Sequence, residues 1–412
     1  LGRSYYENGQ YQEAINSLLK AVELNSNDAN NYYWLGRSYY DNKEYQEAIN
    51  SLLKAVELNP DNYFWHWLLG LSYCKNGQYQ EAINSLLKAV ELNPDNEFNW
   101  YWLGRSYYDN KEYQEAINSF LKAVELNPDN ELNWYWLGRS YNKNGQYQEA
   151  INSLLKAVEL NPNSEGNYYW LGRSYNDNEQ YKEAIDSLVK ATQLSSSSPE
   201  YWYWLCATYS NNKQYQNAIN SGLKATQLNP DNWLYWYWLG YSYYQNGEYK
   251  EAINSLLKAV ELNPDNYLNW YFLGHSYYLN NQYQEAINSL LKAVELNPDD
   301  ELNWYWLGSS YNENGQYQEA INSLLKAVEL NPDDCWNWND LGAAYSNNSQ
   351  YQEAINSLLK AVELNPNSFE SWHSLGWAYC NVGEYVASIG AFIEEAKLNY
   401  NANAFYGIGY NF

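Results

Sequence analysis

The sequence predicts an all-α protein, a solenoid of antiparallel helix pairs stacked side by side. Three observations carry that expectation. Leu-Gly starts at Leu1, Leu35, Leu69, Leu103, Leu137 and Leu171 and again at Leu239, Leu273, Leu307, Leu341 and Leu375, always on a 34-residue step. Leu205-Cys206 fills the one gap, so the 412 residues hold twelve such steps with four residues over. Each step contains two apolar stripes at helical spacing, and an Asn-Pro-Asp-Asn segment or a close variant of it closes most of them. A fixed period of this length marks a repeat architecture in which one unit cannot bury its own apolar face and neighbours must stack.

The unit beginning at Glu97 serves as the example, with Glu97 as position 1. Trp100, Leu103, Gly104 and Tyr107 make the first stripe. Ala116, Ile117, Phe120, Ala123 and Val124 make the second. Both follow the three-to-four-residue spacing of a buried helix face. Gly104 and Ala116 are small enough for the two helices to approach closely. Asp109-Asn110-Lys111-Glu112 separates the stripes, replaced by Asn76-Gly77 and Asn144-Gly145 elsewhere, which reads as a turn. The proline after the second stripe cannot continue a helix, and the Asp or Asn after it caps the next one.

These residues fill the slots W-x2-L-G-x2-Y, A-x3-F and P, and in this the chain resembles the tetratricopeptide repeat (TPR) family over essentially its whole length. The resemblance implies a right-handed superhelical solenoid whose first helices line a concave face. It also implies a non-catalytic role in protein interaction. The boundaries read as a truncated first repeat at 1–28, repeats two to six at 29–198, an irregular seventh at 199–232, repeats eight to eleven at 233–368, a divergent twelfth at 369–402, and the first helix of a thirteenth at 403–412. In the seventh, Ser195–Ser198 replaces Asn-Pro-Asp-Asn, Cys206 takes the glycine slot and Gly222 the large slot of the second helix. Gly222 reads as a packing deficit, either drift or a hinge.

Composition narrows the function. The chain has 20 Trp, 47 Tyr and 8 Phe and a net charge of −25. Such an acidic surface repels nucleic acid. No apolar run is long enough for membrane insertion. The sequence has no Met and starts at Leu1, so it reads as a processed product or a window of a longer array. Cys74, Cys206, Cys335 and Cys380 form no paired spacing and read as free thiols. His66, His275 and His373 lie in three different repeats, so no catalytic set, metal site or cofactor is expected.

On the resemblance, the inner face is built from positions 2, 5, 9, 12 and 13. Position 5 carries Tyr33, Trp67, Tyr101, Tyr135, Tyr169, Tyr203, Tyr237, Tyr271 and Tyr305. Position 6 carries Trp34, Trp102, Trp136, Trp170, Trp204, Trp238, Phe272 and Trp306. Two readings are open for the tryptophans: packing against the adjacent repeat, or an aromatic ladder that stacks on a peptide, a sugar chain or another copy. All five arginines, Arg3, Arg37, Arg105, Arg139 and Arg173, stand at position 9. They read either as a guanidinium stripe for carboxylates or sulfated groups, or as cations neutralised locally by Glu7, Asp41, Asp109 and Asp177 four residues on. The second reading is favoured, with Arg139 excepted because Lys143 faces it. On the second helices Asn118, Ser119, Lys122 and Glu125 read as a hydrated exterior. Asn347 heads the one N-x-S/T sequon.

Two functions compete. One is a scaffold whose aromatic inner face holds a protein or peptide in a cytoplasmic setting. The other is a homopolymeric, glycan-associated extracellular filament, joined head to tail through Leu1, Tyr5, Phe405, Ile408 and Phe412.

Overall fold

The computed structural model describes residues 1–398. Among them the secondary structure is helical, 24 helices and no strand, arranged as successive pairs. In the example repeat the first helix is Glu97–Asp109 and the second Tyr113–Leu126. The same lengths recur in Glu131–Lys143 with Tyr147–Leu160 and in Glu301–Glu313 with Tyr317–Leu330. The first helix of the chain is shorter, Gly2–Glu7. Contacts divide the chain into two compact units, Leu1–Trp204 and one that begins at Leu205. Each is such an array of pairs.

The ends of the helices follow from their residues. Asn130 starts a first helix by accepting the Leu132 N–H at 3.1 Å, as Asn, Asp or Ser does at other starts, which satisfies a donor that has no partner inside the helix. The Glu97–Asp109 helix ends with Lys111 N–H to the Tyr108 carbonyl at 3.0 Å and Glu112 N–H to the Tyr107 carbonyl at 2.9 Å. That is a Schellman closure, and its pivot must turn left-handed. The pivot is Gly9, Gly77, Gly145, Gly247, Gly315 or Gly383 in six turns. In six others it is Lys43, Lys111, Glu179, Lys213, Asn281 or Ser349, all at φ near +60°.

Packing uses the expected stripes. Ala116, Ile117, Phe120 and Val124 share a buried cluster with Trp136 and Leu137 of the next repeat. Gly104 sits against Phe120: a Cβ there would lie 2.9 Å from the ring. Leu52 and Leu154 fill the same space beside Gly36 and Gly138. The seventh repeat corrects one expectation. Gly222 leaves no deficit, because a Cβ on it would lie 3.1 Å from Cys206 Sγ and 3.2 Å from Leu239. The large and small partners have traded helices: Cys206 stands where glycine usually does, and glycine stands opposite.

The second helices also depart from expectation. Ser119 is buried at 3% exposure and donates to the Glu115 carbonyl at 2.9 Å. Ser51, Ser153, Ser221, Ser255, Ser289, Ser323 and Ser357 are buried in the same slot. Asn118, Lys122 and Glu125 are exposed as expected, and leucine joins them: Leu19, Leu53, Leu87, Leu121 and Leu155 in the first unit, and Leu223, Leu257, Leu291, Leu325 and Leu359 in the second, are 39–46% exposed. A serine hydroxyl that satisfies itself on its own backbone can go inward, which leaves the outward position to the next side chain round the helix. No helix among the described residues is long and apolar enough to cross a membrane.

Candidate functional site

The first helices bring the aromatic columns together, and they pack on one another rather than standing free. The position-6 indole meets the position-5 ring of its own helix edge-on: Tyr101–Trp102 at 5.5 Å, Tyr135–Trp136 at 5.4 Å and Tyr169–Trp170 at 5.6 Å between centroids. It also meets the position-12 tyrosine of the previous repeat, as Tyr108 does Trp136 at 5.2 Å. Edge-to-face pairs of this kind suit the ring quadrupoles. Trp136 and Trp170 are buried, while Trp34, Trp102, Trp204, Trp238 and Trp306 are half-buried. At position 5, Tyr33 and Tyr169 are buried and Tyr101, Tyr135, Tyr237, Tyr271 and Tyr305 half-buried. Tyr33 stacks on Trp65 at 5.5 Å. Tyr169 donates its hydroxyl to Glu200.

Of the four local ion pairs expected, two form and two do not. Arg3 does reach Glu7 at 2.7 Å, on the exposed surface, and Arg105 reaches Asp109 at 3.8 Å. Arg37, Arg139 and Arg173 have no ion pair among the described residues. Arg37 donates to the hydroxyls of Tyr6 at 2.8 Å and Tyr33 at 2.7 Å, while the acid four residues on, Asp41, is taken by the Tyr6 hydroxyl. The others stack. The Arg105 guanidinium lies 3.7 Å from the centroid of Trp136, and Arg139 lies 4.0 Å from the same ring. Arg139 is also 4.5 Å from Trp170, and Arg173 is 4.4 Å from Trp170 and 4.3 Å from Trp204. Guanidinium and indole therefore alternate from Arg105 to Trp204, a planar cation over each aromatic face.

The second unit keeps the position and changes the chemistry. At position 9 stand Tyr241, His275 and Ser309. His275 lies 3.8 Å from the Trp306 ring and Tyr241 lies 5.2 Å from Phe272. Burial pushes the His275 imidazole down to about 4, so it is neutral. Where the next indole is due, the chain has Asp340, which accepts from Ser309 at 3.1 Å and Asn339 at 3.1 Å. Burial raises the Asp340 carboxyl above its ordinary range against those bonds.

The hydrogen bonds of two further columns escaped the sequence. The position-4 indoles hold the loop before them: Trp100 donates to the Pro94 carbonyl at 2.7 Å, Trp134 to Pro128 at 2.8 Å and Trp304 to Pro298 at 2.7 Å. His66 Nε2 meets the Pro60 carbonyl the same way at 2.8 Å. The position-3 asparagines are buried from Asn99 onward, and Asn99 donates to the Ala89 and Asn93 carbonyls, both at 3.1 Å, closing the end of the preceding helix. The fixed spacing of Asn99 and Trp100 after Pro94 was the available signal.

Cavities recur at one register, between the starts of consecutive first helices. One of about 280 Å³ is lined by Tyr63, Phe64 and Trp67 with Asn96, Phe98 and Asn99. One of about 220 Å³ lies among Glu131, Leu132 and Tyr135 and the start of the next first helix, Ser164–Asn167. One of about 310 Å³ in the second unit is lined by Glu301, Leu302, Tyr305 and Trp306 with Asp334, Trp336 and Asn337.

Of the remaining expected sites, Asn347 is exposed and donates to Asn312 at 2.9 Å. Leu1 is exposed and Tyr5 half-buried, whereas Phe405, Ile408 and Phe412 lie outside the described residues. The four cysteines are free thiols. Among the described residues no three His, Cys, Asp or Glu side chains gather as a metal site.

Family models cover nearly all of this architecture. The one described as anaphase-promoting complex, cyclosome, subunit 3 matches residues 53–123, 120–191, 190–259 and 211–293. Models described as TPR repeat match 2–43, 274–315 and 308–349. Those described as tetratricopeptide repeat match 29–62, 357–389 and 337–368. No curated protein sequence matches the chain. Among solved structures, the APC/C hetero-tetramer Cut9-Hcn1 is similar at 17% identity and TM-score 0.47, over 100% of this chain and 95% of that one. MamA is similar at 26% identity and TM-score 0.39, over 42% of this chain and 94% of its own. YrrB, described as a TPR protein with an unusual peptide-binding site, is similar at 24% identity and TM-score 0.40, over 45% and 96%. With its helix pairs, caps and filled slots, the chain belongs to the tetratricopeptide repeat family.

Proposed function

We propose that the chain is a non-catalytic scaffold that holds an extended segment of another protein along its first helices. The recurring cavity is the observation that carries this reading. A pocket of about 220–310 Å³ returns at the same register in three repeats, each with a position-5 ring on one side and position 2 of both helices in its wall, Gly166 standing there without a side chain in one. Pockets in register fit a chain that places one side chain per repeat, and their aromatic walls offer contact area with little rotamer entropy to lose. Tyr101 and Tyr135 are the residues assigned to ligand contact in the first unit, and Tyr305 and Trp336 in the second.

A displayed library of extended peptides, selected on the whole chain and measured by fluorescence anisotropy, tests this. Tyr135→Ala and Trp336→Ala are each expected to weaken a selected ligand about tenfold, the scale of one buried aromatic anchor. Unchanged affinity in both, with helical circular dichroism retained, sinks the assignment.

A further inference from the structure

The packing of the first helices explains the indoles but leaves the charge of the arginines unexplained. Three cations converge on Trp170: Arg139 at 4.5 Å, Arg173 at 4.4 Å and the Lys143 ammonium at 6.0 Å. They do so in a chain of net charge −25, where acids outnumber bases two to one. Their hydrogen-bonding capacity is poorly used. The Nε atoms of Arg105, Arg139 and Arg173 are buried with no acceptor. Arg139 reaches only the hydroxyls of Tyr135 at 3.4 Å and Tyr108 at 3.2 Å, and Arg173 that of Tyr169 at 3.3 Å. The nearby acids are engaged elsewhere. Asp177 accepts from Asn142 at 2.9 Å, Glu200 accepts from Tyr169, and Asp109 faces Arg105. Lys143 is held below the ordinary lysine range by burial and by repulsion from Arg173 and Arg139, with Asp177 opposing. Like charges crowded on one ring, with donors to spare, are costly unless an anion comes to them.

We infer that Arg139, Lys143 and Arg173 around Trp170 receive a side-chain carboxylate from an acidic, extended segment of a partner protein, with Arg105 taking a neighbouring one. The assignment rests on the scaffold reading and names its partner class. The geometry favours carboxylates over a polyphosphate. The guanidinium forks are presented one per repeat, the spacing of separate side chains rather than of one continuous phosphate chain.

The test uses the full chain and a fluorescein-labelled oligoglutamate peptide, with oligoglutamine as the neutral control, in anisotropy titrations at low and high salt. Oligoglutamate is expected to bind and to weaken as salt rises, and oligoglutamine is expected not to. Arg139→Gln and Lys143→Gln are each expected to weaken binding about tenfold, the scale of a charge-assisted hydrogen bond. Lys156→Gln, on an exposed second-helix lysine paired with Glu159, should leave it unchanged. Equal binding of oligoglutamine, or wild-type affinity in both Arg139→Gln and Lys143→Gln, overturns the inference. So does a phosphopeptide or sulfopeptide that binds while oligoglutamate does not, or self-association that oligoglutamate fails to compete. Lys143 lies in the last turn of its helix, so its variant remains informative if Arg139→Gln fails to fold. A library peptide that depends on Tyr135 while oligoglutamate does not bind removes this inference and leaves the scaffold; binding by neither removes both.

Discussion

The first unit stacks Arg105 on Trp136 at 3.7 Å, and the second stacks His275 on Trp306 at 3.8 Å. The two contacts occupy the same repeat positions and nearly the same distance, yet one side chain carries a full charge and the other is neutral. At these positions a flat group lies on the next repeat's ring, whereas Leu71 and Ala207 stand at position 9 before Trp102 and Trp238 without one. The charge is an addition, present in one unit and absent from the other. At Ser309 the flat group and the ring it would have covered are both lost, and Asp340 takes hydrogen bonds in place of that ring.

If flatness dominates, Trp136→Ala and Trp306→Ala should cost about the same, about 3–5 kcal/mol each, read as shifts of the urea midpoint. A much smaller cost for Trp306→Ala would break the comparison and assign most of the stack's worth to the cation. The next effect separates the units by pH. His275 is held at about 4 when folded, whereas an unfolded histidine takes its proton near 6.5. Between those values the unfolded chain binds more protons, so stability is full above about 6.5 and falls as the pH drops to about 4, by at most about 3 kcal/mol. Urea titrations across that window should show the slope, and His275→Phe should remove its share; an unchanged slope in His275→Phe would assign the dependence to other groups. The smallest effect concerns the turns. Lys111 sits at φ +66° where Gly77 sits at +78°. Lys111→Gly should stabilise by about 1 kcal/mol or less, and Gly77→Ala should destabilise by a similar amount. Equal stabilities would mean that the lysine side chain repays its strain.

Most of the fold could be read in the sequence, because the stripes, caps and turns are each set within a few residues. The Trp100, Leu103, Gly104 and Tyr107 stripe, the Asn130 cap and the Lys111 turn are local patterns with local causes. The arginines show where such reading stops. Arg173 and Asp177 lie at ideal spacing for a helical ion pair, but Arg173 instead covers Trp204, 31 residues away. No arithmetic within one helix reveals a contact between repeats. Ser119 misled for a related reason: the serine bonds to its own backbone at Glu115, so polarity alone did not say which face it took. Cys206 and Gly222 looked like two defects only while considered separately.

The left-handed pivots hold a record of another kind. Read in order they run Gly9, Lys43, Gly77, Lys111, Gly145, Glu179, then Lys213, Gly247, Asn281, Gly315, Ser349, Gly383. Glycine and non-glycine alternate strictly except once, where Glu179 is followed by Lys213. Copying single repeats gives no reason for alternation, whereas copying tandem pairs does. The turn chemistry thus repeats over a 68-residue doublet, and its phase inverts where the sixth repeat meets the irregular seventh. That seam is written in the dihedral angles of the chain, as the one step at which two non-glycine pivots, Glu179 at φ +61° and Lys213 at φ +58°, follow each other.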